Sequence, residues 1–105
     1  MKTYKVTIVP EAEAQIRKYL AYLLLVKQSE QAYNAVKEDY HETIDALSTI
    51  AGSIGDPPQQ KLRDRGLKKM LFQRHQYVML FYVDGEEAIV TKIFHTSEDY
   101  LNKLD

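Results

Sequence analysis

Tyr4, Val6 and Ile8 alternate with Lys5 and Thr7, the period of two that marks a strand with one buried face. Pro10 ends the pattern. Proline is favoured at the first helical position, and Glu11 and Glu13 suit the positive end of a helix dipole, so a helix is predicted over residues 11–27. Ala12, Ile16, Tyr19, Leu20 and Leu23 follow its period. Leu24, Leu25 and Val26 carry apolar surface onto other faces, and one face cannot bury them all. Ser29 is a good N-cap for a second helix, along which Ala32, Val36, Tyr40, Thr43, Leu47 and Ile50 recur every three or four residues. The link of Lys27 and Gln28 is so short that the two helices must form an antiparallel hairpin.

Residues 52–60 hold the glycines and prolines of a surface loop, and nothing in them carries chemistry. Beyond a basic run, residues 67–72, 77–83 and 88–95 read as a three-stranded meander. The middle segment is apolar throughout, as a strand buried on both faces would be. Asp84-Gly85 is the expected hairpin turn, because both residue types tolerate positive φ. Thr96-Ser-Glu-Asp99 fits a capping box opening a short C-terminal helix. The pattern therefore predicts an α+β fold: an N-terminal strand, a helical hairpin packed on a largely antiparallel four-stranded sheet, and a short terminal helix.

With 105 residues, 45% apolar and 28% charged, the chain reads as one soluble domain over residues 1–105. The loop would divide it into halves too short to bury a core. There is no cysteine, which excludes disulfides and thiolate metal sites, and no metal or cofactor is expected. The N-terminus lacks a continuous apolar export segment. The longest apolar run, residues 20–26, falls far short of the roughly 20 residues a spanning helix needs, so a cytoplasmic location is expected.

Charge changes the picture. The net charge of −1 conceals −2 over residues 1–60, +5 over residues 61–80 and −4 over the remainder. A cationic patch of Arg63, Arg65, Lys68, Lys69 and Arg74 on the meander would attract a polyanion or an acidic protein surface. A solvated hairpin whose lysines keep a sheet edge soluble is the alternative.

Three stretches carry a family resemblance: Val6-Thr-Ile-Val-Pro-Glu-Ala-Glu-Ala14, Tyr77-Val-Met-Leu-Phe-Tyr82 with the Asp84-Gly85 turn, and Ile93-Phe-His-Thr-Ser-Glu-Asp-Tyr100. In this order, over nearly the whole chain, they resemble the RelE/ParE superfamily, the toxins of bacterial type II toxin-antitoxin systems. The resemblance implies a growth-inhibiting toxin of the plasmid-stabilization kind, neutralised by a cognate antitoxin. RelE-like members cleave messenger RNA in the ribosome; ParE-like members poison DNA gyrase. Fold does not choose between them.

Cleavage by a ribose 2′-hydroxyl needs a base, cations to hold the phosphate and an acid for the leaving oxygen. Many nuclease members place lysines on the second strand, an arginine after the tyrosine that opens the third, and an arginine or histidine near the C-terminus. Here Lys68 or Lys69 keeps the lysine, but Val78 follows Tyr77, and Glu98 and Asp99 stand where some members have arginine. A ParE-like inhibitor, most plausibly of gyrase, is therefore expected. The alternative is a ribosome-dependent endoribonuclease using Lys69, Arg74 and His95, and a degenerate toxin that only binds its antitoxin is a third reading. His95 has an ordinary role open to it as a strand-end residue bonded to the backbone. The resemblance also implies that an antitoxin segment covers Leu20, Leu24, Leu25 and Val26, unless a homodimer contact or the tail of Tyr100 and residues 101–104 hides them.

Overall fold

The computed structural model describes residues 2–104. The order of elements is β1 (Lys5–Ile8), α1 (Pro10–Ala21), α2 (Glu30–Ile50), α3 (Gln60–Asp64), β2 (Lys68–Leu71), β3 (Tyr77–Asp84) and β4 (Glu87–His95). The strands lie in the order β1-β4-β3-β2; β1 runs parallel to β4, and the other two pairings are antiparallel. Pro10 opens α1, and the Ser29 hydroxyl caps α2 by accepting the Ala32 N–H at 3.1 Å. The α+β fold and the helical hairpin are those that the pattern predicts.

Both faces of the sheet are covered. On one, Tyr77, Met79 and Phe81 of β3 pack with Ala12 and Ile16 of α1 and Val36, Tyr40 and Leu47 of α2. On the other, Val78 and Leu80 meet Leu62 of α3, Leu67, Phe94 and Leu104, with Tyr100 and Leu101 against them. This two-sided burial explains the unbroken apolar run of β3, since each side chain of Val78, Met79, Leu80 and Phe81 is withdrawn from water whichever way it points. At about 1.5–3 kcal/mol per large side chain, that strand anchors the domain.

A bulge positions the end of β4. Leu80 faces Lys92 while Phe81 faces Val90, so Thr91 is the extra residue. One extra residue exchanges the two faces beyond it. Ile93 and His95 thereby join Ala88 and Val90 on the helical face, and Phe94 turns to the other.

Several local expectations are corrected. The hairpin turn is Gly85-Glu86, with Asp84 paired to Glu87 and positive φ (61°) confined to Gly85, the two-residue geometry that needs glycine first. The basic run, to which the pattern assigns no element of its own, begins in the short α3. No α-helix follows Thr96, only a 3₁₀ turn over Tyr100–Asn102. The capping arrangement is present one residue earlier: the Ser97 N–H donates to His95 Nδ1 at 3.1 Å, and the His95 N–H donates to Glu98 Oε1 at 3.2 Å. The first helix ends in a widened π turn, Tyr22–Val26, in which the Lys27 N–H bonds the Tyr22 carbonyl at 3.1 Å. Gln28 closes it in the left-handed region at φ 52°.

Candidate functional site

A cavity of about 670 Å³ lies between the second half of α1 with its π turn and the meeting ends of β3 and β4. Tyr19, Tyr22 and Tyr77 line it with His95 and Glu98. The bulge at Thr91 is what brings His95 here, opposite Tyr77 in register and on the same face. The two rings meet edge to face, with centroids 4.9 Å apart. Tyr19 donates its hydroxyl hydrogen to Glu98 Oε1, which also accepts the His95 backbone N–H, while Lys103 holds Oε2 at 3.0 Å. Burial, then the bond to Glu98, pushes the Tyr19 phenol far above its ordinary range. The Tyr19 bond holds Glu98 below the usual carboxylate range against the opposing effect of burial, with help from Lys103. Burial and Glu98 raise Tyr77 as well.

A second cluster sits at the β2–β3 turn. Asp39 of α2 is fully buried and accepts from the Gln73 N–H (3.1 Å), the Arg74 N–H (3.0 Å) and His75 Nδ1 (2.7 Å). Burial alone would raise its carboxyl, but the His75 bond and the two backbone donors outweigh it and hold the group below its ordinary value. One helical turn on, Glu42 pairs with the Arg74 guanidinium at 2.6 Å. Residues 73–76 are therefore fastened to α2 by two acids.

Apolar surface gathers on the π turn. Tyr22 is 49% exposed, Leu24 39%, Leu25 71% and Val26 64%. Leu20 and Leu23 are half-buried against the helical-face core.

No protein-family model matches the chain, and no curated protein matches it. Among solved structures, a chain of one described as "Chromosomal ParDE TA system from P. aeruginosa" is 17% identical, with 89% of this chain and 96% of that one covered and a TM-score of 0.70. The chain has a ParE-like fold.

Within the ParE-like fold, the cations of the basic stretch take separate positions. Arg63 donates to the carbonyls of Pro57 (2.8 Å) and Pro58 (2.6 Å), and Lys68 reaches the Ile54 carbonyl at 2.7 Å and Asp56 at 3.5 Å. Both brace the loop of residues 52–60. Arg65 is held to its own helix through the Lys61 carbonyl at 3.2 Å. Lys69 pairs in register with Leu80 and so lies on the sheet face opposite Lys68. Arg74 is engaged by Glu42. The single cationic surface expected from the charge count is thus divided between two faces and a turn.

Lys69, Arg74 and His95 are not assembled either. His95 shares the helical face with Tyr77, Lys69 shares the other with Leu80, and Arg74 lies against α2. Val78, where an arginine would stand in many nucleases, is completely buried. Two features escaped sequence reasoning. Asp39 carried a signal, being an acid one turn from Val36 and from Thr43 on the apolar stripe of α2. The Tyr19–Glu98 bond carried none, because 79 residues separate its partners.

Leu24, Leu25 and Val26 are exposed, and Leu20 is only half so. The tail does not cover them: Tyr100, Leu101 and Leu104 pack on the opposite side of the sheet. Among the described residues, no group of three or more His, Asp or Glu is placed to hold a metal, and no helix is long and apolar enough to cross a membrane.

Proposed function

We propose that this protein is the toxin of a type II toxin-antitoxin pair, a ParE-like inhibitor of a macromolecular target, with DNA gyrase the foremost candidate, held inactive by a cognate antitoxin. The observation that carries the reading is the likeness at TM-score 0.70, over nearly the full length of both chains, to a chain of a ParDE toxin-antitoxin structure. Val78 supports an inhibitor over a ribonuclease. A phosphate clamp at that position would require a guanidinium in a site with no exposure, packed among Leu62, Leu80 and Phe94. The separation of Lys69, Arg74 and His95 points the same way, because phosphate stabilisation and proton transfer must converge on one reacting group.

Induction of the chain alone in cells, with RNA 5′ ends mapped alongside a gyrase supercoiling assay of the purified protein, tests the reading. Growth arrest with loss of supercoiling activity and no new RNA ends is expected. Codon-positioned RNA cleavage that persists with purified ribosomes would overturn it.

A further inference from the structure

We propose that the cavity between α1 and the end of β4 is a binding site for a small planar apolar monoanion, of the aromatic carboxylate class. Its volume, about 670 Å³, lies within the range of small-molecule pockets. Three tyrosines give it flat apolar walls. Its polar groups include donors without a protein partner among the described residues. Because His95 Nδ1 accepts the Ser97 N–H, the neutral ring carries its proton on Nε2, for which the protein supplies no partner among the described residues. Tyr77, a buried residue of the same lining, has a hydroxyl with no hydrogen-bond partner among the described residues. Lys18 and Lys27 belong to the same lining and form no ion pair among the described residues, the Lys27 ammonium lying 5.8 Å from the centre of the Tyr22 ring.

The carboxylate at the cavity is itself engaged. Glu98 Oε1 already accepts from Tyr19 and from the His95 N–H, and Lys103 engages Oε2. An imidazole N–H and a phenol O–H between aromatic walls, with two cationic residues in the lining, suit a carboxylate on a flat apolar body. A phosphate dianion fits less well. The negative end of the α1 dipole and the Glu98 carboxylate oppose a doubly charged anion more strongly than a singly charged one, and the lining residues include no arginine to hold a phosphate.

Phenylacetate is the probe, titrated into the full chain and followed by NMR of backbone amides and histidine ring protons, with phenethylamine and inorganic phosphate as controls. Saturable shifts at His95, Ser97 and Tyr77 with phenylacetate alone are expected. His95→Ala and Tyr77→Phe should each weaken binding by about 10-fold or more, the usual loss for a hydrogen bond to a charged group. Tyr77→Phe removes a single oxygen from an otherwise intact core, and its spectrum shows whether the fold is kept. Equal binding of phenethylamine, binding of phosphate at the same groups, or no saturable shift with phenylacetate would each overturn the assignment. The outcome is independent of whether the chain inhibits gyrase.

Discussion

Asp39 Oδ2 lies 2.7 Å from His75 Nδ1, joining the middle of α2 to the β2–β3 turn across 36 residues of sequence. The Gln73 and Arg74 N–H groups complete the site, so one buried carboxylate holds three groups of the turn. Replacing Asp39 by alanine removes the acceptor and strands its donors. An expected loss of roughly 2–4 kcal/mol of stability follows, with faster amide exchange at Gln73 and Arg74. Asp39→Asn keeps one acceptor oxygen and should lose less. Urea denaturation that finds Asp39→Ala within about 0.5 kcal/mol of the wild type would rule out this anchoring role.

Stability should fall at both ends of the pH range. Asp39 and Glu98 are held below their unfolded values of 3.8 and 4.5, so the unfolded chain binds protons first as pH drops. Their stabilisation is present above those values and is lost as pH falls through the lower native ones. Tyrosines act in the opposite sense. Burial raises Tyr40 to about 12, and raises Tyr19, Tyr77 and Tyr100 above 10.0 as well. Their contribution is complete below about pH 10 and is lost as pH rises through the native values. Urea midpoints measured across pH 2–12 should show both limbs, and Asp39→Asn should flatten the acid limb alone. A midpoint unchanged from pH 6 to 2 would contradict the assignment of these carboxylates.

The strands, the hairpin and the caps at Pro10 and Ser29 were legible because each rests on local chemistry within a few residues. The Thr91 bulge was not. Residues 88–95 are apolar enough on both sides that no alternation shows where the faces exchange, yet that exchange decides that His95 meets Tyr77. The same limit applies to charge: counting residues finds the +5 stretch, but whether Lys68 and Lys69 share a surface depends on a strand period that separates neighbours. Lys68 and Arg63 are spent on backbone carbonyls of a loop whose sequence offers no acidic cluster to announce them.

That division of the cations changes how a target surface is to be tested. Lys68→Glu would set a carboxylate against the Ile54 carbonyl and Asp56 and loosen the loop, so loss of toxicity there would report folding. Lys69→Glu is the cleaner substitution, having no bond to break among the described residues. If the Lys69 face meets the target, this change should weaken growth inhibition and gyrase inhibition together while the urea midpoint stays put. His95→Ala should reduce toxicity far less, whereas a nuclease using it as acid or base would lose about 10²–10⁴ in rate. Wild-type inhibition by a folded Lys69→Glu protein would remove that face from the target contact.

Leu25 and Val26 give the sharpest test of the partner. Among the described residues they are the most exposed of the large apolar side chains, they sit on a π turn that turns them away from the core, and the C-terminal tail that had been the internal candidate to cover them lies across the sheet. An antitoxin segment folding onto this end of the hairpin would bury them, gaining roughly 25 cal/mol for each Å² of apolar surface withdrawn from water. Leu25→Asp and Val26→Asp should change stability by no more than about 0.5 kcal/mol, since neither side chain is packed. In cells co-expressing the cognate antitoxin, both variants should remain toxic where the wild type is neutralised. Amide exchange along residues 20–26 should slow only when that partner is added. A homodimer contact predicts instead that protection is present in the isolated protein and fades on dilution. Unchanged exchange at Leu24, Leu25 and Val26 despite tight partner binding would place the antitoxin elsewhere on the molecule.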